Sequence, residues 1–310
     1  MSYSKIDVLG LGFVAVDDLL YVSSYPPADS KQEVLRSERR CGGLTATAMI
    51  AAARLGMKTA YAGTLGNDQQ SQFALATMDR EGVDVSQVRM QEGACPVHSR
   101  ILVDVTNHTR NIFYSLEGVV GPDADWPPEA LVRNAEVLFV DHLGAEGMLR
   151  VAQVAREAGR PVVADFERSS VPGFDDLLGV VDHLILSSDF AFDLTGTSSP
   201  EDAVQKLWNA DRRVVVVTAG VDGCWFACDE HSDAGATVHH CPAFDVTTVN
   251  TNGCGDVFHG AYVAALVRGD SASERIRFAS AAAALMASRQ GGQADIPMKR
   301  EVEQFLEQRP

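Results

Sequence analysis

The chain of 310 residues has few cysteines, few basic residues and no hydrophobic run long enough to span a membrane. Its six cysteines are widely spaced, which excludes a disulfide-rich secreted scaffold and predicts reduced thiols in a cytoplasmic protein. Glycine and aspartate interrupt the apolar N-terminal stretch, so we expect neither a signal peptide nor a membrane span there. With 26 Lys+Arg against 42 Asp+Glu, the net charge of −16 argues against nucleic acid or an anionic membrane as partner.

The remaining composition is typical of a globular protein, with 46% hydrophobic and 22% charged residues. The length suffices for one large domain with a smaller addition. Short runs rich in Val, Ile and Leu alternate with longer helical patterns, which predicts βαβ units and a mainly parallel sheet with helices on both faces. The first strand is predicted over residues 6–16 and a later one over residues 214–218. The predicted fold class is therefore α/β.

Two segments depart from this alternation and predict a small β unit. Residues 30–40 and 97–117 alternate apolar and polar side chains, and a turn at residues 106–109 makes a hairpin of the second segment. If the two segments pair, they form a discontinuous lid that must move over a site, and its open sheet edges favour a homodimer. The predicted division is a large unit of residues 1–14, 41–95 and 118–310 and a lid of residues 15–40 and 96–117.

Residues 246–260, VTTVNTNGCGDVFHG, carry the most chemical information. Gly253 and Gly255, in a turn at the start of a helix, leave backbone N–H groups unobstructed with the positive end of the helix dipole behind them, which predicts an anion hole. Asp256 would lie in the first helical turn beside that anion. A carboxylate there can act as a base that takes a proton from a hydroxyl attacking a phosphate. The alternative is that Asp256 only balances the helix dipole.

This segment resembles the C-terminal signature D-T-x-G-A-G-D-x-F-x-G of the ribokinase-like (PfkB) carbohydrate kinases. Residues 42–56 with 63–68 are similar to the N-terminal signature of that family, and residues 217–223 to the strand and turn that hold ATP phosphates. The three segments span nearly the whole chain in the order that the family has. The C-terminal half, at residues 242–261 and 277–297, is most similar to sugar kinases of the sulfofructose kinase type.

The resemblance implies a ribokinase-like fold and ATP-dependent phosphorylation of a primary hydroxyl of a small sugar or sugar-like polyol. It implies that Asp256 is the catalytic base and that the amides of Gly253, Cys254 and Gly255 form the anion hole. The substrate-binding residues that the resemblance implies are Asp17, or its neighbour Asp18, with Gly42, Gly43, Lys31 and Thr47, the last in place of a usual Asn. For Lys31 the alternative is a solvated lysine on a strand.

ATP and Mg²⁺ are the implied cofactors, and the sequence departs from the family pattern where they bind. Asn250 replaces a usual Asp, which leaves the need for a monovalent cation open. Ser187 and Phe190 stand at the key positions of the N-x-x-E motif that organises Mg²⁺. Either Asp189 or Asp193 then acts through water, or the metal relies on ATP oxygens and water. The implied nucleotide-binding residues are Ser187, Thr218, Gly220, Gly223, Asn250, Thr251 and Gly291.

Other functions stay open at this point. One is a nucleoside kinase on the same fold, and another is a non-catalytic protein that binds sugar or nucleotide. A dinucleotide-binding dehydrogenase is disfavoured because no G-x-G-x-x-G follows the first strand. A zinc site at Cys224 and Cys228 is disfavoured because residues four apart on a strand lie about 13 Å apart. Since His142 and Leu143 stand where an anion-binding arginine is expected, a phosphate or sulfonate on the sugar also stays open.

Overall fold

The computed structural model describes residues 4–107, 109–123, 125–231 and 237–309, and its helices and strands follow the predicted alternation. The strands are β1 (Ile6–Leu11), β2 (Ala15–Val22), β3 (Arg36–Gly42), β4 (Thr59–Tyr61), β5 (Thr64–Leu65), β6 (Val83–Asp84), β7 (Arg89–Met90), β8 (Val97–Asp104), β9 (Thr109–Ser115), β10 (Ala135–Asp141), β11 (Val162–Asp165), β12 (His183–Ser187), β13 (Val214–Thr218), β14 (Cys224–Cys228) and β15 (His239–Cys241). The helices are α1 (Leu44–Arg54), α2 (Gln69–Arg80), α3 (Glu129–Arg133), α4 (Ala145–Glu157), α5 (Phe174–Gly179), α6 (Ser188–Thr195), α7 (Pro200–Leu207), α8 (Cys254–Arg268), α9 (Ala272–Ala287) and α10 (Lys299–Glu307).

A large sheet forms the centre of the molecule, with the strand order β15-β14-β13-β12-β11-β10-β1-β4-β6. Within this sheet the neighbouring strands β6, β4, β1, β10, β11, β12 and β13 pair in parallel. Strands β14 and β15 are added antiparallel at one edge. Helices α1, α2, α8, α9 and α10 cover one face, and α3 to α7 cover the other. In β13, Val214 and Val216 face the first layer while Val215 and Val217 face the second, which explains an uninterrupted run of valines. The predicted α/β fold with a mainly parallel sheet is confirmed.

Residues 6–16, predicted as one strand, form parts of two strands in different sheets. β1 ends at Leu11, and β2 begins at Ala15. Between them the Phe13 amide donates a 2.8 Å hydrogen bond to Asp141 Oδ2 at the end of β10. A Cβ at Gly12 would stand 2.0 Å from the same oxygen, so this turn depends on glycine. The prediction was wrong because the residues around the turn are apolar, and Gly12, the residue that marks the break, was assigned to the strand.

A second sheet has the strand order β3-β2-β8-β9. β2 pairs antiparallel with β3 and parallel with β8, and β8 and β9 form the predicted hairpin. The two segments, residues 30–40 and 97–117, therefore do not pair directly but lie on either side of β2, which supplies hydrogen bonds to both. Directly opposite residues share one face of a sheet, so Arg40, Asp17, Ser99 and Tyr114 form a row across it.

A third, two-stranded sheet pairs β5 with β7 in parallel. In the part of the chain that the structure describes, no helix is both long enough and apolar enough to cross a membrane.

Candidate active site

A cavity of about 450 Å³ opens at the carboxyl ends of the central parallel strands. We call it the carboxyl-end cavity. Its floor consists of residues that follow β1, β10 and β11 together with the N-terminus of α8, and its roof is one face of the second sheet. Open α/β sheets commonly bind ligands at this end of their strands. The floor includes the side chains of His142, Glu167 and Asp256, and the roof includes those of Asp17, Ser99 and Tyr114.

Helix α8 presents its N-terminus to this cavity. Gly253 precedes the helix with φ 76°, in the left-handed region that favours glycine. At Gly255 no atom lies within 4 Å of the position that a Cβ would occupy, so the backbone borders open space. The Cys254 amide makes only a long hydrogen bond, 3.3 Å, to the Thr251 carbonyl oxygen. The first turn of a helix has N–H groups without intrahelical acceptors, so this surface is suited to bind an anion.

Asp256 lies half-buried in the first turn of α8, where several carboxyl groups converge. Desolvation in the cleft raises the pKa of Asp256 well above its usual range, and the negative charges of Asp165, Glu167, Asp17 and Asp141 raise it further. A carboxyl group with a raised pKa is a stronger base once it is ionised, and such groups are typical of catalytic clefts.

The structure distinguishes the two candidate aspartates on β2. Asp17 lies on the face that lines the cavity, and desolvation raises its pKa although Ser99 hydrogen-bonds to it. Successive side chains on a strand point to opposite faces. Asp18 accordingly lies on the other face, where its carboxylate pairs with Arg39 at 2.7 Å and with His98 Nε2 at 2.8 Å. Asp17 is therefore placed to contact a molecule in the cavity, and Asp18 is engaged elsewhere.

The predicted glycines stand where β3 leads into α1, since Gly42 ends β3 and Gly43 precedes α1. A Cβ at Gly42 would approach Asp17 Oδ2 to 2.5 Å, and one at Gly43, whose φ is 96°, would approach the Phe13 carbonyl oxygen to 2.7 Å. Both positions therefore exclude a side chain. Thr47, in α1, also lines the cavity. Lys31 lies exposed between β2 and β3 and is not among the described residues that line it.

The residues predicted to hold the nucleotide lie along the neighbouring strands. Ser187 ends β12 and stands directly opposite Thr218 at the end of β13. Thr218 Oγ1 donates a 3.3 Å hydrogen bond to the Leu186 carbonyl oxygen. Gly220 and Gly223 form the turn from β13 to β14, and both have positive φ, 56° and 87°. These positions share the carboxyl edge of the sheet with the cavity, although they do not line it.

Asn250 holds the loop that leads into α8. Its Nδ2 donates a 2.8 Å hydrogen bond to the Gln290 carbonyl oxygen, and its Oδ1 accepts one of 2.8 Å from the Asn252 amide. An aspartate could accept the second bond but, when ionised, could not donate the first. Gly291 packs closely here, since a Cβ would lie 2.9 Å from Asn250 Nδ2. Thr251, next in the loop, lines the cavity.

The predicted metal-side positions lie on α6. Asp189 and Asp193 are exposed there, whereas Phe190 is buried and packs against Phe174 with ring centroids 6.1 Å apart. Phe190 is thus a core residue and offers no ligand. Within residues 4–107, 109–123, 125–231 and 237–309, no three His, Cys, Asp or Glu side chains come together as a metal site.

Several residues of the cavity could not be singled out from the sequence. Glu167 and Arg168 follow β11 by two and three residues, so their position after a parallel strand was an available signal. His142 directly follows β10 on the floor, and the remaining residues belong to the roof, where only strand register shows that they share the face of Asp17. Among the cavity residues that the sequence analysis did not identify as binding residues are Arg40, Ser99, Arg110, Tyr114, His142, Glu167 and Arg168.

Comparison with known proteins agrees with this architecture. Residues 10–299 match the sequence model of the pfkB family carbohydrate kinases. The chain is 30% identical to the ATP-dependent ribose-1-phosphate kinase of Halopiger xanaduensis, over 98% of this chain and 99% of that one. It is 29% identical to fructokinase-1 of Zea mays, over 86% and 88% of the two chains. The structure of Arabidopsis thaliana ribokinase complexed with ribose and ATP has a TM-score of 0.85 at 23% identity and covers 98% of this chain and 99% of that one. This chain belongs to the pfkB family of carbohydrate kinases.

Proposed function

We propose that the protein transfers the terminal phosphoryl group of ATP to a primary hydroxyl of a small sugar or sugar-like polyol in the carboxyl-end cavity. The observation that carries the proposal is the position of Asp256 beside the open N-terminus of α8, in a cavity that also contains Asp17. Phosphoryl transfer to an alcohol needs a base for the hydroxyl and donors for the transferred group. Relatives named for ribose 1-phosphate and fructose support a sugar as the acceptor.

The acceptor would bind beneath the second sheet. Asp17 accepts hydrogen bonds from sugar hydroxyls, and the bare backbone at Gly42 and Gly43 allows the sugar to approach closely. Thr47 adds a hydroxyl on the side of α1. Lys31 lies exposed on the loop between β2 and β3, outside the cavity lining, and would contact the acceptor only after the lid closes.

Asp256 would activate the hydroxyl. Its carboxylate takes the proton as the acceptor oxygen bonds to the terminal phosphorus and the bond from that phosphorus to the ADP oxygen breaks. The amides of Gly253, Cys254 and Gly255 stabilise the negative charge on the transferred group. Because the raised pKa of Asp256 increases its basicity, the carboxyl groups around it assist the proton transfer.

ATP would lie over the carboxyl ends of β12 and β13 and the turn into β14, next to the N-terminus of α8. Mg²⁺ would be bound mainly by phosphate oxygens and water, as suits a hard cation that keeps its hydration, with the exposed carboxylates of Asp189 or Asp193 acting through water. Asn250 joins two loops through its own amide, so we propose that this link needs no monovalent cation. The proposed nucleotide contacts are Ser187, Thr218, Gly220, Gly223, Asn250, Thr251 and Gly291.

We also propose that residues 15–40 and 96–117 act as a lid and join two copies of the chain. Closure over the substrates would exclude water that could otherwise be phosphorylated. On the lid face away from the cavity, Phe113 is 52% exposed, and β3 and β9 are sheet edges. A Phe113→Glu variant should shift the mass measured by light scattering from dimer to monomer, and a wild-type monomer would contradict this proposal.

The function is tested by an ADP-release screen across sugars, sugar phosphates and nucleosides, with the product identified by mass and by ³¹P NMR. We expect turnover with a sugar or sugar phosphate and a product whose new phosphorus couples to a CH₂ group. Turnover confined to nucleosides would favour a nucleoside kinase. Binding of ATP without turnover of any acceptor would favour a non-catalytic protein.

A further inference from the structure

Two arginines face the carboxyl-end cavity without a carboxylate partner. Arg110 lies on β9 of the roof, and Arg168 follows β11 on the floor. Among the described residues, no carboxylate oxygen lies within 4.0 Å of either guanidinium group, which is the largest N···O distance of an ion pair. Arg168 instead hydrogen-bonds to the hydroxyl of Tyr114 and lies over its ring, 5.1 Å from the centroid. A third cavity arginine, Arg40, is neutralised by an ion pair with Glu38.

The two charges act from opposite sides of the cavity, Arg110 from the roof and Arg168 from the floor. The positive charge of Arg110 counteracts the desolvation that raises the pKa of the Cys254 thiol, so it reaches the N-terminus of α8. Arg168 adds to the desolvation that lowers the pKa of His142 to about 4, so it reaches the floor after β10. Tyr114, which Arg168 contacts, belongs to the same row as Asp17 and therefore to the proposed acceptor half.

A neutral sugar would leave both guanidinium groups without an ion pair. Desolvation raises the pKa of the nearby Glu167 and the charge of Arg168 counteracts this rise, so Glu167 compensates only one of the two arginines and only at a distance. Asp17 and the backbone at Gly42 and Gly43 already suit uncharged hydroxyls, and they give no role to two guanidinium groups. Closing the roof over a neutral sugar would also remove water from both arginines without supplying an anion, which is unfavourable. Guanidinium groups match the oxygens of a phosphate in geometry. A phosphate monoester carries about −1.5 to −2 charges at pH 7, which two arginines balance.

We infer that the acceptor sugar already carries a phosphate monoester and that Arg110 and Arg168 bind this group. The inference rests on the proposed function and narrows its substrate class. The amides at the start of α8 already supply donors to the transferred phosphoryl group, so Arg168 remains available to the acceptor. Arg110, whose charge also reaches this helix start, is assigned to the acceptor because it lies on the same strand and cavity-facing side as Tyr114. If the arginines bind the acceptor rather than ATP, their substitution should raise KM for the sugar and leave KM for ATP nearly unchanged.

The test compares Arg168→Gln and Arg110→Gln with a matched control, Arg300→Gln, which is exposed on α10 outside the cavity lining. Initial rates are measured with ribose 1-phosphate, fructose 6-phosphate and their parent sugars. We expect the wild type to prefer a sugar phosphate over its parent sugar by about 100-fold in kcat/KM. Each cavity variant should raise KM for that sugar phosphate by about 10- to 100-fold and leave KM for ATP within about twofold. The control variant should behave as the wild type.

Calorimetric binding of the same sugar phosphates, with a non-hydrolysable ATP analogue present, makes the result independent of turnover. Binding that both cavity variants weaken supports the inference even if no product forms, and only the proposed function then fails. Equal use of neutral sugars, preference for a sugar acid, absent sugar-phosphate binding, or a change confined to KM for ATP would each overturn the inference. Turnover of neutral sugars alone would leave the proposed function intact.

Discussion

Two cavities of similar size lie at opposite ends of the large sheet, and both are lined by arginines. The second, of about 440 Å³, lies at the amino ends of β11, β12 and β13, and we call it the amino-end cavity. Every arginine that lines it has a carboxylate partner. The pairs are Arg156 with Asp182 at 3.5 Å, Arg160 with Glu136 at 2.6 Å, Arg213 with Asp229 at 3.3 Å, and Arg275 with Glu230 at 2.8 Å.

The difference between the cavities lies in charge compensation. In the amino-end cavity the ion pairs connect α4, α9 and the strand ends, so the charges serve the fold. In the carboxyl-end cavity Arg110 and Arg168 have no such partner among the described residues, and Asp256 has a raised pKa. Size alone would not tell the two apart. Uncompensated charge distinguishes a surface that awaits a ligand from one that is complete without one.

The largest effect is expected when an aspartate in each cavity is replaced by asparagine and the two variants are compared. Asp256→Asn should lower kcat by about 10²- to 10⁴-fold, because the amide cannot accept the hydroxyl proton. Folding should be preserved, since the change removes a negative charge from among other carboxyl groups. Asp182→Asn, in the amino-end cavity, should leave kcat unchanged. ADP release and thermal unfolding measure both, and near-wild-type turnover of Asp256→Asn would reject the proposed mechanism.

When one arginine in each cavity is replaced by glutamine, we expect stability to fall at the amino-end cavity and to stay nearly unchanged at the carboxyl-end cavity. Arg275→Gln removes an ion pair whose arginine side chain is only 7% exposed, so we expect the free energy of unfolding to fall by about 1–3 kcal/mol. Both KM values should stay unchanged. Arg110→Gln should alter the free energy of unfolding by less than about 0.5 kcal/mol, because that side chain is exposed and unpaired. Denaturant titration tests the pair, and equal losses of stability would remove the distinction between the cavities.

Asn250, a proposed nucleotide contact, also has a structural role that a stability measurement can test. Asn250→Asp should cost about 1 kcal/mol of unfolding free energy at pH 7, because an ionised carboxylate cannot donate to the Gln290 carbonyl oxygen. The matched control is Asn209→Asp, near the amino end of β13. Its Oδ1 only accepts a bond from the Asp211 amide, which an aspartate also does. Urea unfolding should show a loss for the first variant only; an equal loss in the control would contradict this explanation.

The smallest expected effect concerns pH. The raised pKa of Asp256 predicts that kcat/KM falls, as the pH is lowered, at a higher pH than an ordinary aspartate would give, since the base must be ionised. Glu167→Gln removes one of the negative charges that raise this pKa, so the fall should move to lower pH. Glu157→Gln, on the surface of α4, is the control. Normalised pH profiles measure the shift, and an unchanged position in Glu167→Gln would argue against Asp256 as the titrating base.

Several features could be predicted from short stretches of sequence. The alternation of strands and helices, the run of valines in β13 and the glycines before Asp256 each reflect the backbone conformation of a few neighbouring residues. Predictions that required knowledge of strand partners were less successful. Residues 6–16 were assigned to one strand, and the pairing of residues 30–40 with residues 97–117 was left conditional, because neither pattern reveals that β2 lies between the two segments.

The sequence by itself determined the α/β fold, the family and the position of Asp256 at the start of α8. Only the tertiary structure decided that Asp17 rather than Asp18 faces the cavity, and that Arg110 and Arg168 both line it without an ion-pair partner among the described residues. The physical reason is range. Helix starts and tight turns are fixed by interactions within a few residues, whereas the face that a strand presents and the charges that it meets depend on register and packing between segments far apart in the chain.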